Sequence, residues 1–196
     1  MNASRAQHLP HKIRIIGGAW RRTPLPVADL PGLRPTPDRV RQTVFDWIAH
    51  LKPDLSAAAG LDLFAGTGAL GLELASRGAR RVVLVERQPQ LVDQLRRLRE
   101  RLDPERVDVI AGDAVALAQR LPAAGFDLVF VDPPYADGLL MPAVKAAVRL
   151  LAPGGLIYAE APAALDPAEL AALGLGIVRH GRAGQVSFNL LHRDPS

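Results

Sequence analysis

The sequence predicts an α/β fold: a doubly wound, seven-stranded, mostly parallel sheet with a C-terminal antiparallel hairpin and a small N-terminal β-hairpin extension. Three observations carry the prediction. From Ala59 onward, short apolar runs alternate with helical patterns, as in parallel strands buried on both faces by crossover helices. The first run leads into Ala65-Gly66-Thr67-Gly68, a glycine-rich turn that opens a helix. Near the C-terminus, two strand-like segments are separated by too few residues for a crossover, so they pair antiparallel.

In chain order, Met1–His11 is a polar, aperiodic tail. Ile13–Gly18 and Thr23–Val27 form a hairpin, with Gly17-Gly18 and Arg21-Arg22 near its turn. Leu33-Arg34-Pro35 is extended, Thr36 suits an N-cap, and Pro37 suits the first helical position. The helix from about Pro37 to Leu51 has Val40, Val44, Phe45, Ile48 and Leu51 on one face, with Arg39 and Arg41 pointing elsewhere. Strands then fall at Leu61–Phe64, Val82–Val85, Val107–Ala111, Leu128–Val131 and Leu156–Ala159. Between them lie helices at Ala69–Arg77, Gln90–Leu102, Ala114–Leu121 and Leu139–Leu151. Pro153-Gly154-Gly155 breaks the chain before the fifth strand. A short helix near Pro167–Leu173 precedes the closing strands, Gly176–His180 and Gln185–His192. The series is that of a Rossmann-like sheet with a terminal hairpin. It divides the chain into a tail (1–11), a basic hairpin and helix (12–52) and the sheet domain (53–196).

Length and composition fit this division. A chain of 196 residues, 48% of them hydrophobic, can bury one sizeable core. Its most apolar stretch, Leu55–Ala75, carries Asp62, Glu73 and several glycines, so no membrane span is expected. The N-terminus lacks the apolar segment of a secretory signal. The absence of cysteine excludes disulfides and thiolate metal sites and fits a cytoplasmic location. No metal is expected, and nothing demands more than a monomer. Charge is uneven: residues 1–52 hold nine Lys/Arg against three Asp/Glu, whereas residues 53–196 hold fifteen against seventeen. A basic N-terminal quarter suits a solvated face or a polyanionic partner.

The glycine-rich turn is the candidate cofactor loop. In a doubly wound sheet, ligands bind beyond the carboxyl ends of the strands, where glycines let the backbone approach them. Gly66, Gly68 and Gly71 satisfy G-x-G-x-x-G, and Glu86 ends the next strand, placed for a ribose diol. Both features serve NAD and S-adenosylmethionine alike. Asp113 follows the third strand, where it can bind an adenine amino group, cap the helix starting at Ala114, or do both.

Asp132-Pro133-Pro134-Tyr135, at the end of the fourth strand, is the more specific signal. The lone pair of an exocyclic amine on a base is delocalised into the ring and is a poor nucleophile. The Asp132 carboxylate and the Pro133 carbonyl can accept its two N–H groups and aim the lone pair at a sulfonium methyl. Pro133 and Pro134 stiffen these acceptors in advance, and Tyr135 offers a face on which an extruded base stacks. Rate then comes largely from in-line placement of nitrogen, methyl and sulfur. A dehydrogenase has no use for this segment.

With these residues in place, the chain resembles the amino-methyltransferase branch of the Rossmann-like methyltransferases, and more narrowly the bacterial 16S rRNA guanine-N2 methyltransferases. The resemblance runs from about Ile13 to Arg193. It rests on Arg14-Ile15-Ile16-Gly17-Gly18-x-Trp20-Arg21, Leu33-Arg34-Pro35-Thr36-x-Asp38-Arg39-Val40-Arg41, Asp62-x-Phe64-Ala65-Gly66-Thr67-Gly68-Ala69-Leu70-Gly71, Phe130-Val131-Asp132-Pro133-Pro134-Tyr135 and Ala183-Gly184-Gln185-Val186. Arg87-Gln88 departs from the family's habit of a further acidic or polar residue after the ribose-binding glutamate. No role is assigned to Gln185.

The resemblance implies methyl transfer from S-adenosylmethionine to guanine N2 in 16S rRNA, on naked RNA or a small ribosomal subunit, leaving S-adenosylhomocysteine. The cofactor set is then Asp62, Phe64, Ala65, Gly66, Thr67, Gly68, Glu86, Arg87, Asp113, Ala114 and Asp132, with Asp132–Tyr135 as the catalytic segment. Arg14, Arg21 and Arg22 are assigned to RNA phosphates. Trp20 stacks on a base or packs the hairpin down. Arg34 and Arg39 hold the methionine carboxylate or RNA, and Tyr135 holds the base. Four alternatives stay open at this stage: an adenine-N6 DNA or RNA methyltransferase, a protein glutamine methyltransferase, an NAD-dependent oxidoreductase, and an RNA-binding assembly factor without turnover.

Overall fold

Residues 12–30, 35–134 and 138–193 are described by the computed structural model; the expected tail, Arg34 and Tyr135 lie outside them. The N-terminal hairpin pairs β1 (Lys12–Arg14) with β2 (Pro24–Pro26), Ile13 opposite Leu25. Its strands are shorter than expected because the intervening residues turn against the helix α2 (Ala69–Ser76): Ala19 N–H donates to the Ser76 carbonyl at 2.7 Å. Gly18 has φ +76°, and a Cβ there would overlap that carbonyl, so the turn needs glycine.

Helix α1 (Asp38–Leu51) corrects three sequence expectations. Pro37, not Thr36, occupies the cap position, because the Thr36 hydroxyl is engaged by Asp132 at 3.2 Å. Arg41 does not point away but is fully buried. It stands three, four and seven residues before Val44, Phe45 and Ile48, which puts it on their apolar stripe. Leu51 instead ends the helix 36% exposed.

Seven strands form the main sheet in the order β5-β4-β3-β6-β7-β9-β8. These are β3 (Ala59–Asp62), β4 (Arg81–Glu86), β5 (Val107–Ala111), β6 (Phe126–Val131), β7 (Leu151–Ala161), β8 (Leu175–Ala183) and β9 (Val186–Arg193). The five from β3 to β7 pair in parallel, whereas β9 runs antiparallel between β7 and β8. That insertion separates the fold from the six-stranded dinucleotide-binding order 3-2-1-4-5-6. Two boundaries differ from expectation. Strand β7 follows its preceding helix directly, with Pro153–Gly155 absorbed in a register shift opposite Phe126–Leu128. Strand β8 passes through Gly181, leaving Gly184-Gln185 as the turn, with Gly184 at φ +61°.

The remaining helices are α3 (Pro89–Leu102), α4 (Ala114–Arg120), α5 (Leu140–Leu150) and α6 (Pro167–Ala171). They separate the core into two layers. One face of the sheet is covered by the hairpin, α1, α2 and α3 through Ile15, Val44, Leu72, Leu95 and Tyr158. The other is covered by α4, α5 and α6 through Ala118, Val144, Leu150 and Leu170. Phe45 of α1 lies 6.0 Å from the Phe130 ring, and Trp47 stacks on Phe188 at 5.4 Å, so α1 roofs β6 and β9. Its first turn consequently overhangs the carboxyl ends of the strands. No helix among the described residues is long and apolar enough to cross a membrane.

Candidate active site

The sheet order sets the site. Strand connections reverse direction between β3 and β6, and a crevice opens there beyond the carboxyl ends. Four strands in sequence across the sheet deliver one acid each: Glu86 from β4, Asp62 from β3, Asp132 just after β6, and Glu160 from β7. All four line a cavity of about 470 Å³, together with Phe64–Thr67, Arg87, Asp113, Ala114, Pro133 and Pro134. The first turn of α1 adds Thr36, Pro37 and Val40, and the β8–β9 turn adds Ala183 and Val186.

The glycine turn is built for close approach. Gly68 caps α2 in the left-handed region (φ +82°), and a Cβ there would meet Leu72 and Leu95 at 2.7 and 2.8 Å. Gly66 N–H donates to Glu86 Oε2, and the Arg87 and Gln88 N–H groups donate to Oε1, each at 2.8 Å. A carboxylate offers about four acceptor positions, so Glu86 is held rigidly and keeps one position, on Oε2, for a hydroxyl. Asp113 caps α4 through Ala116 N–H at 2.8 Å on Oδ1, which leaves Oδ2 for another donor.

Asp62 is 1% exposed. Its Oδ2 accepts Gly71 N–H at 3.0 Å, while Oδ1 is buried without a hydrogen-bond partner among the described residues. Burial pushes its pKa up to about 7, against the backbone N–H groups of Gly71 and Phe64, which favour the anion, with the Glu86 charge adding to the rise. Asp132 is half-buried and accepts the Thr36 hydroxyl on Oδ2. Burial first, then the neighbouring charges of Glu160 and Asp62, hold its carboxyl well above the usual range, while Thr36 pulls the other way. A buried acid with an orphaned oxygen and a second acid driven upward by its neighbours together make a cavity that favours a cationic occupant.

Of the residues expected at the cofactor, Asp62, Phe64, Ala65, Gly66, Thr67, Glu86, Arg87, Asp113, Ala114 and Asp132 line the cavity together with Pro133 and Pro134, whereas Gly68 is not among the lining residues. The basic residues divide. Arg14, exposed and 3.6 Å from Asp38, and exposed Arg39 flank the start of α1 without lining the cavity. Arg21 and Arg22 are exposed in the hairpin turn, beside the far end of α2 from the glycine turn. Trp20 is half-buried against the core beside them, its N–H bound to Ser76 Oγ at 2.9 Å. Thr36 and Glu160 are among the lining residues that the sequence alone does not mark. Thr36 was assigned to a cap, and Glu160 was overlooked although it follows an apolar strand just as Asp132 does.

The model of the family described as conserved hypothetical protein 95 matches residues 13–192. The chain is 40% identical over 190 residues to ribosomal RNA small subunit methyltransferase D of Escherichia coli K12, covering 93% of this chain and 91% of that protein. The corresponding protein of Haemophilus influenzae is 38% identical over 154 residues, 76% of this chain and 78% of its own. Among solved structures, the candidate methyltransferase yhhF of Escherichia coli superposes with a TM-score of 0.79 at 38% identity, covering 94% of this chain and 99% of that one. The chain therefore belongs to the conserved hypothetical protein 95 family of methyltransferases, alongside the ribosomal RNA small subunit methyltransferases D that it matches over nearly its whole length.

Proposed function

We propose that the protein transfers the methyl group of S-adenosylmethionine to the exocyclic N2 of a guanine in 16S rRNA. The observation that carries this reading is the rigid Asp132-Pro133 acceptor pair in the same cavity as the glycine turn, Asp62 and Glu86. The relatives named as small-subunit rRNA methyltransferases support the RNA substrate.

The residues present fit the cofactor. Asp62 Oδ1, buried without a hydrogen-bond partner among the described residues, suits the α-ammonium group of the methionine moiety. Glu86 suits a ribose hydroxyl, Asp113 Oδ2 the adenine amino group, and the glycine turn a closely approaching chain. When bound, S-adenosylmethionine supplies an electrophilic methyl and a positive charge. The chain's own residues do the rest. Asp132 and the Pro133 carbonyl orient the amine, the Thr36 hydroxyl fixes the Asp132 carboxylate, and α1 roofs the cavity against water. An ionised Asp132 serves this best, because protonation leaves one acceptor oxygen but turns the other into a donor. A cation in the cavity favours that ionised form.

Helix α2 has eight residues, about 12 Å of rise, and it separates Arg21 and Arg22 from the cavity. An RNA that touches both must span more than a lone nucleotide. The test is incubation with labelled methyl donor and undermethylated small ribosomal subunits, followed by nuclease digestion and mass spectrometry. One N2-methylguanine in 16S rRNA is the expected product; label in adenine, or none in RNA, refutes the assignment.

A further inference from the structure

Glu160 lines the cavity, yet methyl transfer as described gives it no task. The sheet order ranks the site from one end to the other. The adenosine end lies at β5 and β4, Asp62 at β3 and Asp132 at β6, and Glu160 comes one strand further from the cofactor. The pairing of Val131 with Ala159 puts Asp132 and Glu160 level with each other. Adjacent strands stand about 4.8 Å apart, so both carboxylates reach neighbouring groups on one edge of a base. Glu160 is 5% exposed, and the Tyr158 hydroxyl donates to its Oε1 at 2.7 Å, which fixes where the carboxyl group sits. Apolar Pro134, Leu139 and Val186 line the same cavity and offer flat contact to a ring.

Guanine and adenine differ on the edge beside the amine. In guanine the N2 amino group adjoins N1–H, a donor; in adenine the N6 amino group adjoins N1, an acceptor. A carboxylate beside the gripped amine binds the first and repels the second. We propose that Glu160 is the specificity-determining residue, its carboxylate accepting guanine N1–H while Asp132 and the Pro133 carbonyl hold the N2 amine. The proposal rests on the guanine-N2 reading above and adds to it the reason for the choice of base.

The test uses the full-length protein and 16S rRNA carrying either guanine or 2-aminopurine at the methylated position, assembled into small subunits. 2-Aminopurine keeps the N2 amine but turns N1 into an acceptor. The wild-type protein should favour guanine by about 10- to 100-fold in kcat/KM, the worth of one hydrogen bond to a charged group. Glu160→Gln, whose amide can donate to N1, should bring the two substrates within about threefold of each other, with the cofactor still bound in calorimetry. Equal rates on both bases with the wild-type protein overturn the proposal. So does an unaltered preference in Glu160→Gln, or loss of cofactor binding in that variant, either of which makes Glu160 structural or cofactor-facing. Should Glu160→Gln fail to fold, Tyr158→Phe replaces it: a reduced preference supports the proposal, and an unchanged one overturns it. Failure of the wild-type protein to methylate guanine RNA at all shows instead that the underlying guanine-N2 assignment is wrong, and the proposal falls with it.

Discussion

Asp62 is where pH enters the chemistry. Its pKa, near 7 because of burial, means the ligand-free protein holds a proton there that an ammonium ligand must displace. Affinity for S-adenosylmethionine should therefore rise as pH increases from about 6 to 8, by at most about tenfold per unit, and Asp62→Asn should flatten that rise; calorimetry across this range checks both. Stability runs the other way. A carboxyl whose folded pKa is raised favours the folded state below its unfolded value, and the benefit fades as pH climbs through the folded one. The ligand-free protein should lose stability between pH 4 and 7, by at most ~1.4 kcal/mol per unit from this group, as thermal melts with and without cofactor would reveal. At this scale the sequence was informative where an acid closes an apolar run, as at Glu86 and Asp132, whereas Asp62 sits inside one and is marked only by the resemblance. Glu160 closes such a run too and was passed over. Thr36 was beyond reach, because its partner, Asp132, stands 96 positions away and only the fold joins them.

Among the elements, the N-terminal hairpin and α1 are fastened to α2 by charge as well as by packing. Glu73 is fully buried and accepts Ile16 N–H at 2.7 Å, Gly17 N–H at 2.8 Å and Arg77 Nε at 2.8 Å, with Arg41 at 3.6 Å. Arg41 in turn donates to the Arg14 carbonyl at 2.8 Å and to Asp38 at 2.7 Å. Removing one partner from such a network leaves buried charge uncompensated, so Glu73→Gln should cost about 3–5 kcal/mol in urea unfolding. It should also loosen the roof over the cavity, raising KM for RNA. Gly68→Ala should cost about 1–3 kcal/mol through its left-handed backbone and its clash with Leu72 and Leu95, while weakening cofactor binding more than its loss of stability alone would. The strand-helix alternation was legible because the central strands β3, β4, β6 and β7 are largely buried on both faces and read as apolar runs. Arg41 was misjudged because its helical phase is that of a core residue while its chemistry is that of a surface one; the phase was the better guide.

Across the whole molecule, the carboxyl edge of the sheet opens into the acid-lined cavity while the basic hairpin extends the surface away from it. The charge division of the sequence marks the basic quarter but not its geometry: Arg21 and Arg22 stand beside the far end of α2 from the glycine turn, with Arg14 and Arg39 near the start of α1. Reversing the first pair, Arg21→Glu with Arg22→Glu, should weaken RNA binding and lower the slope of log affinity against log salt by about 2, with cofactor affinity intact. Filter binding at several salt concentrations measures this, and an unchanged slope removes the hairpin from the RNA footprint. The seven-stranded order with β9 inserted antiparallel was foreseen as a closing hairpin, though periodicity alone could not say between which neighbours it lies. The most direct measurement is single-turnover methyl transfer to small ribosomal subunits by the wild-type protein and by Asp132→Ala, both saturated with S-adenosylmethionine. A fall of about 10²–10³-fold in rate, with the variant still binding cofactor, is the expected result. Full methyl transfer by Asp132→Ala would contradict it.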